Sequence, residues 1–496
     1  MVLSYKVRFW EIRERADRAK AFEVRWTVNG REKSESFLTK GLAESRKAKL
    51  ITAARDGEPF DPKTGLPTSE LRALRQRTTW YEVAREYMDA RWERTPGNTR
   101  RTLAEALATI TVAFVDTGAV YHDSRVLRRA VYSWAFNKKA WMNQPREEWR
   151  AALEWLEHRS LPVAELDDPV VLRRGLDSLC RKLDGTVSAA KTTKRKRAAV
   201  NEVFADAVER GYFTHNPLIG LRWTAPAVDD EVDPDCVPNP VQVRRLLEAV
   251  RQLPGRGPHL YAFFGCMYYA GMRPAEVINL RKSQCRLPRT GWGLLNLKGG
   301  VVTAGKEWSD DGAVHETHSL KRRSAKTTRP VPIPPVLVRM LIEHIARFGV
   351  APDGRIFQNA AGNYIDASAY GITWGRAREA TLTMDEHMLN LAKRPYDLRH
   401  AGISFWLASG VDPAECARRA GQSIQVLFQY YAKFLAGTRD RANQLIEDSM
   451  NRWEESPASE EAELSVSWPG NTPDQLVSDG MAVGQSGSKE AFRLAV

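Results

Sequence analysis

Ala270-Gly271-Met272-Arg273-Pro274-Ala275-Glu276-Val277-Ile278-Asn279-Leu280 decides how the chain is read. The apolar run 260–272 before it is too short to span a bilayer, so it reads as a buried helix that stops at Gly271. Pro274 suits the first position of a new helix. Between the two helices stands a single arginine. A guanidinium offers a planar fork of donors and a charge that does not titrate away, which suits it to a phosphate. Glu276 is spaced to hold it in place. Alone, such a pair reads as an ordinary salt bridge at a helix start.

Toward the C-terminus a second segment changes that reading. Pro395-Tyr396-Asp397-Leu398-Arg399-His400-Ala401-Gly402-Ile403-Ser404 sets another arginine near the start of a helix. Ala420-Gly421-Gln422-Ser423 and then Tyr430-Tyr431-Ala432-Lys433 follow it. Together with Arg273, these residues in this order resemble the signature of the tyrosine recombinases. Within that family the chain is similar to phage and integrative-element integrases of the actinobacterial type over roughly residues 1–450.

The resemblance implies roles residue by residue. Gly271, Arg273, Glu276 and Leu280 match the family's first arginine box, G-x-R-x-x-E-x-x-x-L, and 396–399 match its H/K-x-x-R box, with Arg399 as the second arginine. The family's His or Trp position falls on Gln422. Its nucleophilic tyrosine stands about nine residues further on, which selects Tyr431 over Tyr430. A lysine on a β-hairpin completes the family's set. Residues 320–326 precede the strand-like 329–334, and Lys321 is the choice there, with Lys326 its competitor; 305–317 looks like an insertion. Tyr396 and Gln422 depart from the family pattern. Neither carries an imidazole, so proton removal by a histidine at either place is excluded, although both can hydrogen-bond. His400 is expected to be structural, because neighbouring residues on a helix point in different directions.

The chemistry implied is phosphodiester exchange without a metal. Negative charge grows on the non-bridging oxygens in the transition state, and preorganised guanidiniums stabilise it. A neutral tyrosine hydroxyl, with a pKa near 10, is a poor nucleophile, and nearby cations favour its phenolate. Lys321 would protonate the departing 5′ oxygen. A 3′-phosphotyrosyl intermediate would keep the bond energy for resealing without ATP.

The remaining sequence is read around this centre. A formal charge of +13 over 496 residues favours a polyanionic partner. Residues 5–12 and 21–28 alternate like strands, Asn29-Gly30 marks a hairpin before 31–38, and 42–54 has helical spacing. Residues 56–69 read as a linker. Helical patterns run through 80–92, 100–114, 124–135, 149–157, 169–183 and 188–210, and 226–240 is an acidic, proline-rich linker. The expected fold is multidomain α+β: a small N-terminal β-sheet plus helix over 1–60, an all-α core-binding domain over 75–225, and a mainly α catalytic domain with a small β-sheet over 238–450. Residues 451–496 read as a disordered tail.

By the resemblance, the first domain would bind arm-type DNA sites and the second would close over the duplex. Lys191, Lys194, Arg195, Lys196 and Arg197 then read as phosphate contacts rather than as a merely solvated helix face. The partners implied are double-stranded DNA attachment sites, a homotetramer on two duplexes and a directionality factor. No cofactor and no metal is expected, since His315 and His318 lie without a carboxylate or cysteine cluster. Five scattered cysteines fit a reducing compartment, and no apolar run suits export or a membrane span, so a cytoplasmic, DNA-associated place in a bacterium is expected. Two readings compete: a catalytically impaired DNA-binding regulator on the same scaffold, and a type IB topoisomerase-like enzyme that shares the chemistry, against which the separate N-terminal sheet and long helical domain argue.

Overall fold

The Asn29-Gly30 turn behaves as its residues demand. Both take positive φ, 48° and 79°, and they join Phe22–Val28 to Arg31–Phe37 with Val28 opposite Arg31. In the computed structural model, which describes residues 3–15, 18–116, 118–227, 232–319, 327–436 and 439–454, Phe22–Val28 is the central strand of the first sheet. It pairs antiparallel with Val7–Phe9, Arg13–Glu14 and Arg31–Phe37. The helix Lys40–Arg55, capped by Thr39, covers the sheet through Ala43 and Leu50.

Residues 56–69 are not a loose linker. Phe60 is fully buried in this first core, the Trp26 indole donates to the Gly65 carbonyl at 2.7 Å, and a helix runs over Thr68–Arg77. Prolines and glycines marked the turns correctly, but one phenylalanine is enough to anchor the segment; burying such a ring is worth about 2–3 kcal/mol.

A second core gathers the helices Trp80–Trp92, Gly97–Thr111, Ser124–Ala130, Glu147–Arg159, Pro169–Ser178 and Ala190–Glu209. Thr79 and Glu82 close a reciprocal capping box at the first of them. Three helices end earlier than their periodicity predicts, Gly97–Thr111 by three residues and two others by five. After Ala130 the chain widens into a π-helical turn over Val131–Ala135, and after Ser178 it forms a short hairpin with Arg181 opposite Val187.

The third core surrounds the helix Gly257–Tyr269, buried on nearly every side. Around it lie the helices Pro240–Gln252, Pro335–Phe348, Ala367–Thr381 and Asp397–Ala408. Three antiparallel strands, in the order Cys285–Arg286, Gly293–Leu297, Arg329–Ile333, form its sheet. A separate hairpin pairs Gly299–Thr303 with His315–Ser319.

The loop of that hairpin, within the expected insertion, carries a consequence that polarity hid. Trp308 is 3% exposed and sits in the helical core, its ring 6.1 Å from Trp92 and 5.3 Å from Tyr132. Arg100 donates to the Trp92 carbonyl at 2.9 Å and the Trp308 carbonyl at 2.8 Å, and pairs with Asp310 at 2.7 Å. The Gly97 N–H donates to Glu316 at 3.0 Å. The hairpin therefore ties the helical core to the third core.

Among the described residues from Leu435 onward, which belong to a second unit, Arg439–Glu454 is a helix with Leu445, Ile446 and Met450 exposed. Residues 455–496 of the expected tail, like Lys321 and Lys326, lie outside the described residues. No helix among the described residues is long and apolar enough to cross a membrane.

Candidate active site

The helix Pro413–Ala420 ends as its sequence requires. Gly421 takes φ 63°, and a β-carbon there would lie 1.8 Å from an Arg329 guanidinium nitrogen, so only glycine fits. A helix C-terminus presents unpaired carbonyls and partial negative charge. Three arginines use it. Arg399 Nη2 donates to the Ala420 carbonyl at 2.7 Å, Arg329 Nη1 to the same carbonyl at 3.2 Å, and Arg273 Nη2 to the Gly421 carbonyl at 3.0 Å. Arg399 Nη1 also donates to the Gly271 carbonyl.

Local sequence delivers each guanidinium. Arg273 caps the short helix Pro274–Ile278; Glu276 accepts from its backbone N–H at 2.8 Å and pairs with its guanidinium at 3.0 Å. Arg329 opens a strand whose inward face carries Arg329, Val331 and Ile333. It pairs with the other Glu276 oxygen at 2.8 Å. Arg399 stands on the buried side of Asp397–Ala408.

Among the described residues, Glu276 is the one carboxylate within ion-pair distance of these three cations. Burial works to raise its carboxyl pKa, yet Arg329, Arg273 and Arg399 together hold it below the ordinary range. Burial, and then repulsion from Arg273, holds Arg399 below its usual value. Arg273 is the guanidinium solvent reaches: its side chain is 28% exposed, against 1% for Arg399.

Tyr431 sits where the helix Ile424–Ala436 kinks, at φ −122° and ψ 16°. It is buried, and its hydroxyl lies 2.8 Å from Nδ1 of His400. Burial pushes its phenol upward, while the charges of Arg399 and Arg273 pull it down. Burial, and then the charges of Arg399, Arg394 and Lys191, pushes His400 down to about 4, so its imidazole is neutral at pH 7. The Tyr396 ring meets the His400 ring edge-on, with centroids 5.1 Å apart. Gln422 follows Gly421 directly, and its side-chain Nε2 is buried with no hydrogen-bond acceptor among the described residues. The backbone N–H of Val232 donates to the Tyr430 carbonyl at 3.2 Å, which pins the middle of the 226–240 segment beside the kink.

Arg273, Arg399, Tyr396 and Tyr431 are thus neighbours, with Gln422 adjoining. His400 belongs with them, contrary to its expected structural role. Residues 100° apart on a helix diverge, but here Arg399 turns to the Gly271 and Ala420 carbonyls while His400 reaches the Tyr431 hydroxyl, and the charge of Arg399 acts on both. Arg329 was not anticipated either. Strand alternation was the signal for it, since Val331 and Ile333 had to face inward and Arg329 shares their face.

The basic run divides in two. Lys191, Lys194 and Arg195 are exposed, and the Lys191 ammonium lies 5.8 Å from the Tyr430 ring centre. Arg197 is half-buried beside Trp223. Lys196 is a correction. Its ammonium is fully buried, donating to the Arg181 carbonyl at 2.9 Å and pairing with Glu105 at 3.3 Å, because helical periodicity turns position 196 toward Thr193 and Val200.

No protein-family model and no curated protein matches the chain. Among solved structures it is similar to the Tn1549 transposon integrase in complex with a circular intermediate DNA, at 16% identity and a TM-score of 0.44, covering 63% of this chain and 91% of that one. It is also similar to the XerH site-specific recombinase bound to difH DNA, at 12% identity and a TM-score of 0.40, covering 73% and 97%. A lambda integrase dimer bound to a core site aligns at 11% identity and a TM-score of 0.40, covering 86% and 94%. These three solved structures are integrases and a recombinase bound to DNA.

Proposed function

We propose that the chain is a site-specific DNA recombinase of the tyrosine class that cuts and rejoins strands through a 3′-phosphotyrosyl bond at Tyr431. One observation carries this reading: a tyrosine hydroxyl stands within the charge of Arg399 and Arg273, and among the described residues Glu276 is the one carboxylate within ion-pair distance of these arginines and of Arg329. An excess of fixed positive charge beside a nucleophile suits a reaction whose transition state gathers negative charge. Arg273, the exposed member, meets the phosphate first. Arg399, held from behind by carbonyls, contributes mainly field. The orphaned Gln422 amide needs an acceptor, and a non-bridging phosphate oxygen is one. Lys321 protonates the leaving 5′ oxygen, with Lys326 the alternative.

Around this centre, residues 75–225 close over the duplex, with Lys191, Lys194 and Arg195 on phosphates. Residues 1–60 engage arm-type sites. Four protomers on two duplexes complete the exchange, and a directionality factor biases it.

The second reading, a DNA-binding regulator with impaired chemistry, is favoured by the burial of Tyr431 and by the absence of imidazole at 396 and 422. Nicked suicide duplexes built from the sequences flanking the gene separate the two. Wild type is expected to accumulate covalent adduct and Tyr431→Phe none. Equal absence from both would leave the regulator.

A further inference from the structure

We propose that His400 is the proton acceptor for Tyr431, taking over on the nucleophile's side the work that neither Tyr396 nor Gln422 can do. The inference rests on the recombinase reading and deepens it. Its basis is a contact: Nδ1 lies 2.8 Å from the one hydroxyl that must lose a proton. Hydrogen-bond reach is the first requirement of a general base.

The imidazole is also held in place. Tyr396 packs edge-on against its ring from the start of the same helix, and the Tyr431 ring lies tilted with its centroid 5.7 Å away. In the tautomer with the proton on Nε2, Nδ1 accepts from the tyrosine hydroxyl. The charged groups facing it are Arg399 and Arg394 from its own segment and Lys191 from the helical core, and all three oppose a proton on the ring. No carboxylate is among the groups that act on it.

The resting base is therefore weak, and the substrate corrects this. A phosphate seated against Arg273 and Arg399 adds negative charge within the same pocket. That charge offsets the guanidinium field, raises the imidazole's affinity for a proton and draws the phenol toward attack. The step balances. The Tyr431 O–H bond breaks and its proton passes to Nδ1 as the phenolic oxygen bonds to phosphorus. The P–O5′ bond breaks, and the 5′ oxygen takes a proton from the general acid. In resealing, the 5′-hydroxyl attacks phosphorus and gives its proton back to the general acid, the P–O bond to tyrosine breaks, and the imidazolium returns its proton to the leaving phenolic oxygen.

Single-turnover cleavage of the nicked duplex, followed from about pH 5 to pH 9, tests this, with duplex affinity and thermal melting as controls for folding. Wild type is expected to reach a rate plateau once the imidazole is neutral. His400→Ala is expected to lose about a hundred- to a thousandfold near neutral pH, and its rate to climb with hydroxide instead of levelling. Added imidazole should restore part of the loss. His400→Asn keeps an acceptor but cannot take the proton, so it should stay slow. A duplex with sulfur in place of the bridging 5′ oxygen removes the need for leaving-group protonation, and it should not rescue His400→Ala.

The proposal is overturned if His400→Ala cleaves like wild type, if His400→Asn recovers full rate, or if the loss is independent of pH and indifferent to imidazole. Absence of adduct from wild type would instead remove the recombinase reading beneath it.

Discussion

Arg100 and the Arg273–Arg329–Arg399 group bury the same chemistry to opposite ends. Arg100 lies over the Trp92 ring at 4.6 Å, gives two bonds to backbone carbonyls and pairs with one carboxylate, Asp310. Charge there is balanced one to one, and the result is a fastening between the helical core and a hairpin of the third core. At the end of Pro413–Ala420, carbonyls are used in the same way, but three guanidiniums share one carboxylate. Burial of arginine therefore does not mark an anion site. The imbalance does, because uncompensated charge in a partly dry pocket strains the resting protein until an anion arrives.

The largest test of that distinction removes the one counter-charge within ion-pair distance among the described residues. Glu276→Gln is expected to destabilise the fold by about 3–5 kcal/mol, the usual result of stripping a buried ion network of one partner, and sulfate or phosphate should restore part of the melting temperature. The sign with pH follows from the depressed Glu276 carboxyl. Its stabilisation is present above the ordinary value of 4.5 and is lost in acid, as pH falls through the lowered one. The glutamine variant should lack that acid-sensitive component. Melting curves with and without sulfate, across pH, check both.

Next in size are the arginines themselves. Arg273→Ala or Arg399→Ala should lower adduct formation by about a hundred- to a thousandfold, the usual effect of deleting one preorganised donor. Thermal stability of Arg273→Ala should hold or rise, since it removes surplus positive charge from a partly exposed side chain. Arg100→Ala should do the reverse. It leaves the carbonyls of Trp92 and Trp308 without their donor and costs about 2 kcal/mol, with little change in adduct once the protein is folded. Equal melting losses for Arg100→Ala and Arg273→Ala would erase the contrast between the two sites.

Legibility in the sequence follows the same contrast. The Asn29-Gly30 hairpin, most helices and the arginine boxes announce themselves, because turn chemistry, periodicity and box spacing are local. What balances a charge is not local. Asp310 is 210 positions from Arg100. Arg329 reaches Glu276 only because Arg329–Ile333 pairs with Gly293–Leu297. Trp308 stands in a polar stretch and read as insertion, yet it fills the helical core. His400 meets Tyr431 across 31 positions of sequence, a contact that helix geometry around Arg399 alone does not announce.

The smallest effect tests the contrast inside one helix. Lys196 and Arg195 are adjacent, equally basic and equally plausible as phosphate contacts, but Lys196 is buried against Glu105 and Arg195 is exposed. A lysine already paired in the core releases no counterions when DNA binds. Lys196→Met should therefore leave the salt dependence of duplex affinity unchanged and cost only about 1 kcal/mol of stability, because Glu105 is partly solvated and methionine fills the space. Arg195→Ala should leave stability alone and flatten the slope of log affinity against log salt by about 0.9, one phosphate contact's worth. If the two variants exchanged these phenotypes, the ion pair between the helices Ala190–Glu209 and Gly97–Thr111 would have to open on DNA, and the basic run would act as a single surface.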